Sequence, residues 1–295
     1  MRFRTATTVA AIAAAGVLVL AGCTDSSAPD GDSDGAPTSE KVPYEDGTTM
    51  ADLAEAGSIT IGTKFAQPLF GLAGPDGVPQ GFDIEIGKII AGQLDIAPEN
   101  IEWVETVSAN REPFIESGQV DLVIATYTIN DKRKEVVSFA GPYYEAGQDI
   151  LVPAGNPEGI DGPDWFKDNP DKTVCTVSGS TSLANIQEYT SNILEAADYA
   201  DCLDPIRNGQ AVAVTTDNVI LAGLADQSDG EFEVVNNPFT AEPYGIGLNH
   251  DDTDFRMWIN DVLEQSYDDG SWAAAWEATA GKVLDLPTPP AVDRY

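Results

Sequence analysis

An α/β fold with mixed, mainly parallel sheets is predicted by three observations. From residue 57 onward, short β-branched runs alternate with segments of helical periodicity. Gly, Pro, Ser, Asn and Asp cluster at the joins, where strands stop and helices start. The alternation runs through two successive cycles in a chain of 295 residues, enough for one large or two ordinary domains. In order, residues 58–65 (SITIGTKF) read as a strand with β-branched alternation, and 71–81 as turn-rich. Within 83–94, Ile84, Ile86, Ile89, Ile90 and Leu94 recur at helical spacing. A strand at 101–106, a short helix at 111–117 and a strand of buried type at 121–126 (DLVIAT) follow. Residues 130–135 form a charged helical turn, with strands near 136–139 and 149–153. The second cycle is strand 172–177, helix 182–190, strand 211–216 and helix 217–224.

Ligands of such sheets gather at the carboxyl ends of strands, beside helix N-termini. The turns after 58–65, 121–126 and 172–177 are therefore the candidate positions. The last reads Ser178-Gly179-Ser180-Thr181-Ser182 and opens a helix, so its N–H groups and hydroxyls can cradle an anion. It lacks the Gly-Lys-Ser/Thr of a phosphate-binding loop, and Ser and Thr are equally at home there as plain helix caps.

Composition excludes several classes of function. Hydrophobic residues make up 42%, a globular proportion. Against 15 Lys+Arg stand 49 Asp+Glu, a net charge of −34 that repels nucleic-acid phosphates and anionic lipid headgroups. His250 is the one histidine, so no metal site of several imidazoles is possible, and a nucleophilic triad has a single candidate base, read here as a surface-loop residue. Cys23, Cys175 and Cys202 are too few for a disulfide scaffold or a four-cysteine zinc site. Neither a metal nor a cofactor is expected.

Residues 1–22 combine the basic Arg2 and Arg4 with an apolar stretch at 6–20, short for a spanning helix and typical of a secretory signal. The stretch ends in Leu20-Ala21-Gly22-Cys23, which resembles the bacterial lipobox. That resemblance implies cleavage before Cys23, a diacylglyceryl thioether on its sulfur, and residence on the outer face of the cytoplasmic membrane. A plain signal peptide with an incidental cysteine is the alternative. Residues 24–50 carry seven acids and one lysine among Ser, Gly and Pro, so 23–50 reads as a lipidated cysteine and a flexible, self-repelling tether.

Beyond the tether, the run Gly81-Phe82-Asp83-Ile84-Glu85-Ile86, continued by Ile90, Ala91 and Leu94, resembles the signature of the family 3 extracellular solute-binding proteins, the polar-amino-acid receptors of ABC importers. The acids of that run lie in a helix first turn, where the dipole favours them. DLVIATYTINDKRKE over 121–135, FAGPYY over 139–144, AVTTD over 213–217 and DGSW over 269–272 are similar to further segments of that family. Together they span about residues 57–280.

The resemblance implies a two-lobed clamp of type II periplasmic-binding topology, with the ligand cleft between the lobes. Lobe 1 would comprise 51–145 plus 243–295 and lobe 2 146–242, with hinge strands near 142–147 and 239–244. It implies a binding role for Thr126 and Thr128, and for Arg133 as the fork on the ligand α-carboxylate. Thr181 would meet the same carboxylate from lobe 2, and Asp217 would take the α-ammonium. Read without the family, Arg133 is a solvated member of the charged run 131–135 and Asp217 a helix cap. Lys64 and Arg111 fall in the turns that line the side-chain pocket in this family, within segments similar to those of Gram-positive glutamate-binding lipoproteins. A cation there pairs with a γ-carboxylate; the alternative is two surface cations. Phe65 stands where an aromatic covers the ligand's aliphatic part, or else simply packs in the core.

In an exported protein with Cys23 lipidated, Cys175 and Cys202 are the natural disulfide pair, their loop contributing about 3 kcal/mol. The expected partners are glutamate or a similar acidic amino acid, a permease with its ATPase, and the membrane through the lipid anchor alone; the receptor is expected to act as a monomer. Receptors for another polar amino acid such as glutamine, dehydratase-like enzymes and signalling receptors on the same fold are the competing readings.

Overall fold

The computed structural model describes residues 44–295. The expected signal segment, Cys23 and the greater part of the expected tether lie outside the described residues. Thirteen strands follow one another: β1 (Ile59–Thr63), β2 (Ala66–Gln67), β3 (Gly71–Ala73), β4 (Pro79–Gln80), β5 (Ile101–Glu105), β6 (Leu122–Thr128), β7 (Ser138–Ala146), β8 (Gln148–Pro153), β9 (Val174–Val177), β10 (Ile193–Ala196), β11 (Ala213–Asp217), β12 (Phe232–Val234) and β13 (Glu242–Leu248). They form a five-stranded sheet β5-β1-β6-β13-β7, a second five-stranded sheet β10-β9-β11-β8-β12, and a small sheet β2-β3-β4.

Each large sheet is the floor of one lobe. The chain crosses from the first to the second at Gly147 and returns between β12 and β13, which inserts between β6 and β7. β1 pairs in parallel with β5 and β6, and β9 with β10 and β11. The strands next to the crossings pair antiparallel: β13 with β6 and β7, and β8 with β11 and β12. Antiparallel pairings are thus as numerous as parallel ones in the two large sheets, a more even mix than strand–helix alternation suggests. A strand that returns directly from the other lobe has no crossover helix to restore parallel direction.

The tether ends earlier than its composition implies. Thr48 caps the helix Thr49–Ala56 by accepting from Ala51 N, Gly57 closes it at φ 66°, and Met50 and Leu53 are buried. The Tyr44 hydroxyl donates to Gln93 O at 2.6 Å, and its ring meets Trp258 edge-on at 5.9 Å. Residues 44–50 are therefore part of the fold. Their caps and apolar spacing were masked by the acidic residues before them. The turn-rich 71–81 is likewise structured as β3 and β4, and Gly81 is required there: a Cβ would lie 2.3 Å from the Phe70 carbonyl.

Lobe 1 is finished by two helices, Thr253–Asp269 and Ser271–Ala278, of which the family motif marked only the start of the second. Phe255, Ile259, Val262 and Leu263 form the buried stripe of the first. Trp272 and Trp276 of the second stack on each other, Trp276 also stacks on Tyr144, and both meet Phe82 edge-on. This aromatic block packs the second helix against Phe82 and Tyr144 of the first lobe.

Candidate ligand-binding site

On the first lobe, Lys64 follows β1 and is 2% exposed, its Nζ donating to Ser108 Oγ at 2.9 Å. Ser108 opens a tight turn that leads into the helix Arg111–Glu116. Arg111 is buried. Its Nε donates to Ser108 O at 3.2 Å and its Nη1 to Ala125 O and Thr126 O, both at 3.3 Å. Arg133 rides on the one-turn helix Asp131–Lys134, which Asn130 caps by accepting from Arg133 N. Its Nη1 donates to Thr128 O at 2.7 Å and its Nε to Glu112 at 3.1 Å. Both arginines send Nη2 across to Gly179 O on the second lobe, at 3.5 and 3.3 Å.

On the second lobe, Ser180 caps the helix Thr181–Ile186. The Thr181 hydroxyl donates to Glu242 at 2.8 Å and lies 3.4 Å from the Thr128 hydroxyl. Asp217 ends β11 and is buried. Its Oδ2 accepts from the Tyr244 hydroxyl at 2.6 Å, while its Oδ1 has no hydrogen-bond partner among the described residues. Asp217 caps nothing: its side chain makes no bond to the helix that follows.

Between the lobes lies a narrow polar cavity lined by Ser108, Arg111, Thr126, Thr128, Ser180, Thr181, Ser182, Tyr199, Asp217 and Ile220. Five of the residues singled out in the sequence therefore meet on one cavity: Arg111, Thr126, Thr128, Thr181 and Asp217. Lys64 stands one residue behind the wall, through Ser108. Arg133 lies outside the lining, in an adjoining groove with Glu112, Lys132 and Gly179 that shares Ser108, Ser180 and Thr181 with the cavity. Lys64 and Arg111 are buried rather than surface cations, and Arg133 is likewise no solvated member of its charged run. Phe65 is half-buried and outside the lining. His250 is exposed beside Asp251, away from the cavity.

Burial shifts the charges of both walls toward neutrality. Lys64 is pushed down to about 7 by burial and then by Arg111, with Asp198 and Asp83 acting against them. Arg133 is lowered to about 10, again by burial first and Arg111 second. Asp217 is raised to about 7 by burial and by the nearby Glu242 carboxylate.

Sequence reasoning missed the part played by Asp83. Its place in a helix first turn suggested a dipole partner, yet its buried carboxylate accepts from Thr126 N at 2.9 Å and from the Tyr143 hydroxyl at 2.6 Å. Thr126 has φ 43°, in the left-handed region that a β-branched residue avoids, and Asp83 holds its N–H there. Ser108, Gln67 and Tyr199 were also missed. Gln67 Nε2 donates to the Thr126 hydroxyl at 3.2 Å. Tyr199 is brought to the cavity by its own short turn, Tyr199–Cys202. Cys202 is bonded to Cys175, the disulfide expected, and so ties that turn to β9. A tyrosine three residues before a paired cysteine was the only local signal for it.

Residues 59–278 match the family model of bacterial extracellular solute-binding proteins, family 3. The glutamate-binding protein GluB of Corynebacterium efficiens is 39% identical over 77% of this chain and 80% of its own length. A glutamine-binding protein of Geobacillus stearothermophilus is 37% identical over 81% of this chain and 90% of its own. Among solved structures, a solute receptor for L-cysteine from Neisseria gonorrhoeae superposes with a TM-score of 0.74 at 30% identity, covering 83% of this chain and 99% of that one.

Proposed function

The chain belongs to the bacterial extracellular solute-binding proteins of family 3, and from that premise we propose that it is the receptor of an ABC amino-acid importer, capturing glutamate by lobe closure and handing it to a permease with its ATPase. The observation that carries the reading is Asp217 Oδ1, buried without a partner on a polar cavity whose facing wall holds Arg111 with Lys64 behind it. A carboxylate oxygen left free in a dry site is an acceptor for an ammonium group. Cations opposite it offer the complement to carboxylates, and an α-amino acid supplies both. Asp217 takes the ammonium. Thr126, Thr128 and Thr181, with Arg133 reaching in from the adjoining groove, take the α-carboxylate, and Arg111 and Lys64 take the side-chain carboxylate. A receptor that binds without transforming its ligand is supported by relatives named as binding proteins. No helix among the described residues is long and apolar enough to cross a membrane, and the proposed attachment is the lipid on Cys23. Cys23→Ala should release the protein from the membrane fraction or leave it uncleaved; unchanged fractionation and processing would refute the anchor.

Glutamine is the second reading, favoured by the Geobacillus relative and by a Lys64 able to lose its proton near neutrality. Calorimetric titration against the common amino acids decides. Glutamate should bind far more tightly than its near-isostere glutamine, whose NH2 donor would face the donors of Arg111 and Lys64. Equal affinity for the two overturns the acidic-ligand reading and leaves the amino-acid receptor standing.

A further inference from the structure

Tyr127 lies near the carboxyl end of β6, between the two threonines of the site, with its side chain fully buried. Two guanidinium groups stand over its ring: Arg111 Cζ at 4.3 Å from the centroid and Arg133 Cζ at 4.9 Å. The ring itself cannot shift. Phe139 packs against it edge-on at 4.7 Å, and β13 presses so close that a Cβ on Gly247 would lie 2.7 Å from Tyr127 Cε1. The Tyr127 hydroxyl makes no well-formed hydrogen bond, although the Glu112 carboxylate is near. The ring, then, is the part that acts. Two buried guanidiniums repel each other, and the one aromatic ring that both approach offsets that repulsion while fixing where each group sits. Both then point the same way, each donating Nη2 to the one carbonyl of Gly179 on the facing lobe. Gly179 has φ 76°, and a Cβ on it would lie 2.7 Å from Ala109 Cα, so this turn closes directly onto the arginine wall.

We propose that Tyr127 is the positioning residue of the cleft, its ring holding Arg111 and Arg133 side by side so that they meet the second lobe and the ligand as a fixed pair. The proposal deepens the amino-acid reading of the cavity and, for its effect on affinity, rests on it. Two measurements on purified wild type, Tyr127→Phe and Tyr127→Leu test it. The first is the NMR signal of the arginine Nε–H groups without ligand. The Arg111 and Arg133 signals should carry ring-current shifts in wild type and Tyr127→Phe, and lose them in Tyr127→Leu. The second is glutamate titration, in which Tyr127→Phe should stay within about threefold of wild type and Tyr127→Leu should weaken by about tenfold or more. Tyr127→Leu binding within threefold of wild type, whatever its melting temperature, overturns the proposal and leaves Tyr127 as core packing. Should Tyr127→Leu not fold, unshifted arginine signals in the wild type overturn it equally. Should the wild type bind no amino acid at all, the functional reading fails, and the arginine signals still decide whether the pair exists.

Discussion

The first lobe meets the cleft with cations and the second with an anion, and the two walls hold their charges differently. Arg111 is held by carbonyls of its own lobe at Ser108, Ala125 and Thr126, and Arg133 by the carbonyl of Thr128 and the carboxylate of Glu112. Asp217 keeps one oxygen on a hydroxyl and leaves the other unpaired. The first wall is therefore preorganised before anything binds, while the second contributes a group whose desolvation is offset only by a partner from outside. A clamp divided in this way gains most from a ligand that carries both signs. It also explains why the chain tolerates so many buried charges around one cavity: each wall complements the other and the ligand, not itself.

That contrast can be broken in four places. Asp217→Ala should have the largest effect, weakening every ligand by about 3–5 kcal/mol, because the ligand ammonium then has no counter-charge in the cleft. Calorimetry giving near-native affinity would place the ammonium elsewhere. Arg111→Leu should weaken glutamate by about 2–4 kcal/mol and narrow the gap to glutamine; a parallel loss for both ligands would assign Arg111 to the α-carboxylate instead. The paired change of Cys175→Ser with Cys202→Ser opens a loop spanning 27 positions and should lower stability by about 3 kcal/mol in urea unfolding. A loss below about 1 kcal/mol would mean that the second wall does not depend on the bond.

The smallest effect is on pH dependence, and its sign differs between the walls. Asp217 rises from its ordinary 3.8 to about 7 on folding, so its contribution is present below 4 and is lost as pH rises through 7. Lys64 falls from 10.5 to about 7, so its contribution is present above 10.5 and is lost as pH falls through 7. The ligand-free protein should therefore show a dip in stability near pH 7, where neither contribution is at its full value. Glutamate should raise the melting temperature most at that same pH, since it pairs with both. A ligand-induced shift independent of pH between 5 and 9 would show that neither group changes ionisation in the cleft.

Much of the first wall was legible in the sequence. Arg111, Thr126, Thr128 and Arg133 sit in two short segments whose motifs mark a family, and the strand ends that carry them follow from β-branched runs and turns. Less of the second wall was legible, because Tyr199 and Glu242 belong to no recognisable motif and reach the site through the tight turn before Cys202 and the returning strand. The helix Thr253–Asp269 was overlooked for a different reason: its stripe of Phe255, Ile259, Val262 and Leu263 was present, but polar residues dominate the segment around it.

By itself the sequence determined what depends on near neighbours: alternation of strands and helices, the acidic balance, and which short segments carry charge into turns. Tertiary structure alone decided which of those charges face the cavity. Asp83 reaches Thr126 from 43 positions away, Tyr143 reaches Asp83 from 60, and Arg133 reaches Gly179 from 46. No local periodicity encodes such meetings. Nor does it encode burial, which brings Lys64 and Asp217 to the edge of neutrality, because desolvation depends on everything packed around a group and not on the residues beside it in the chain.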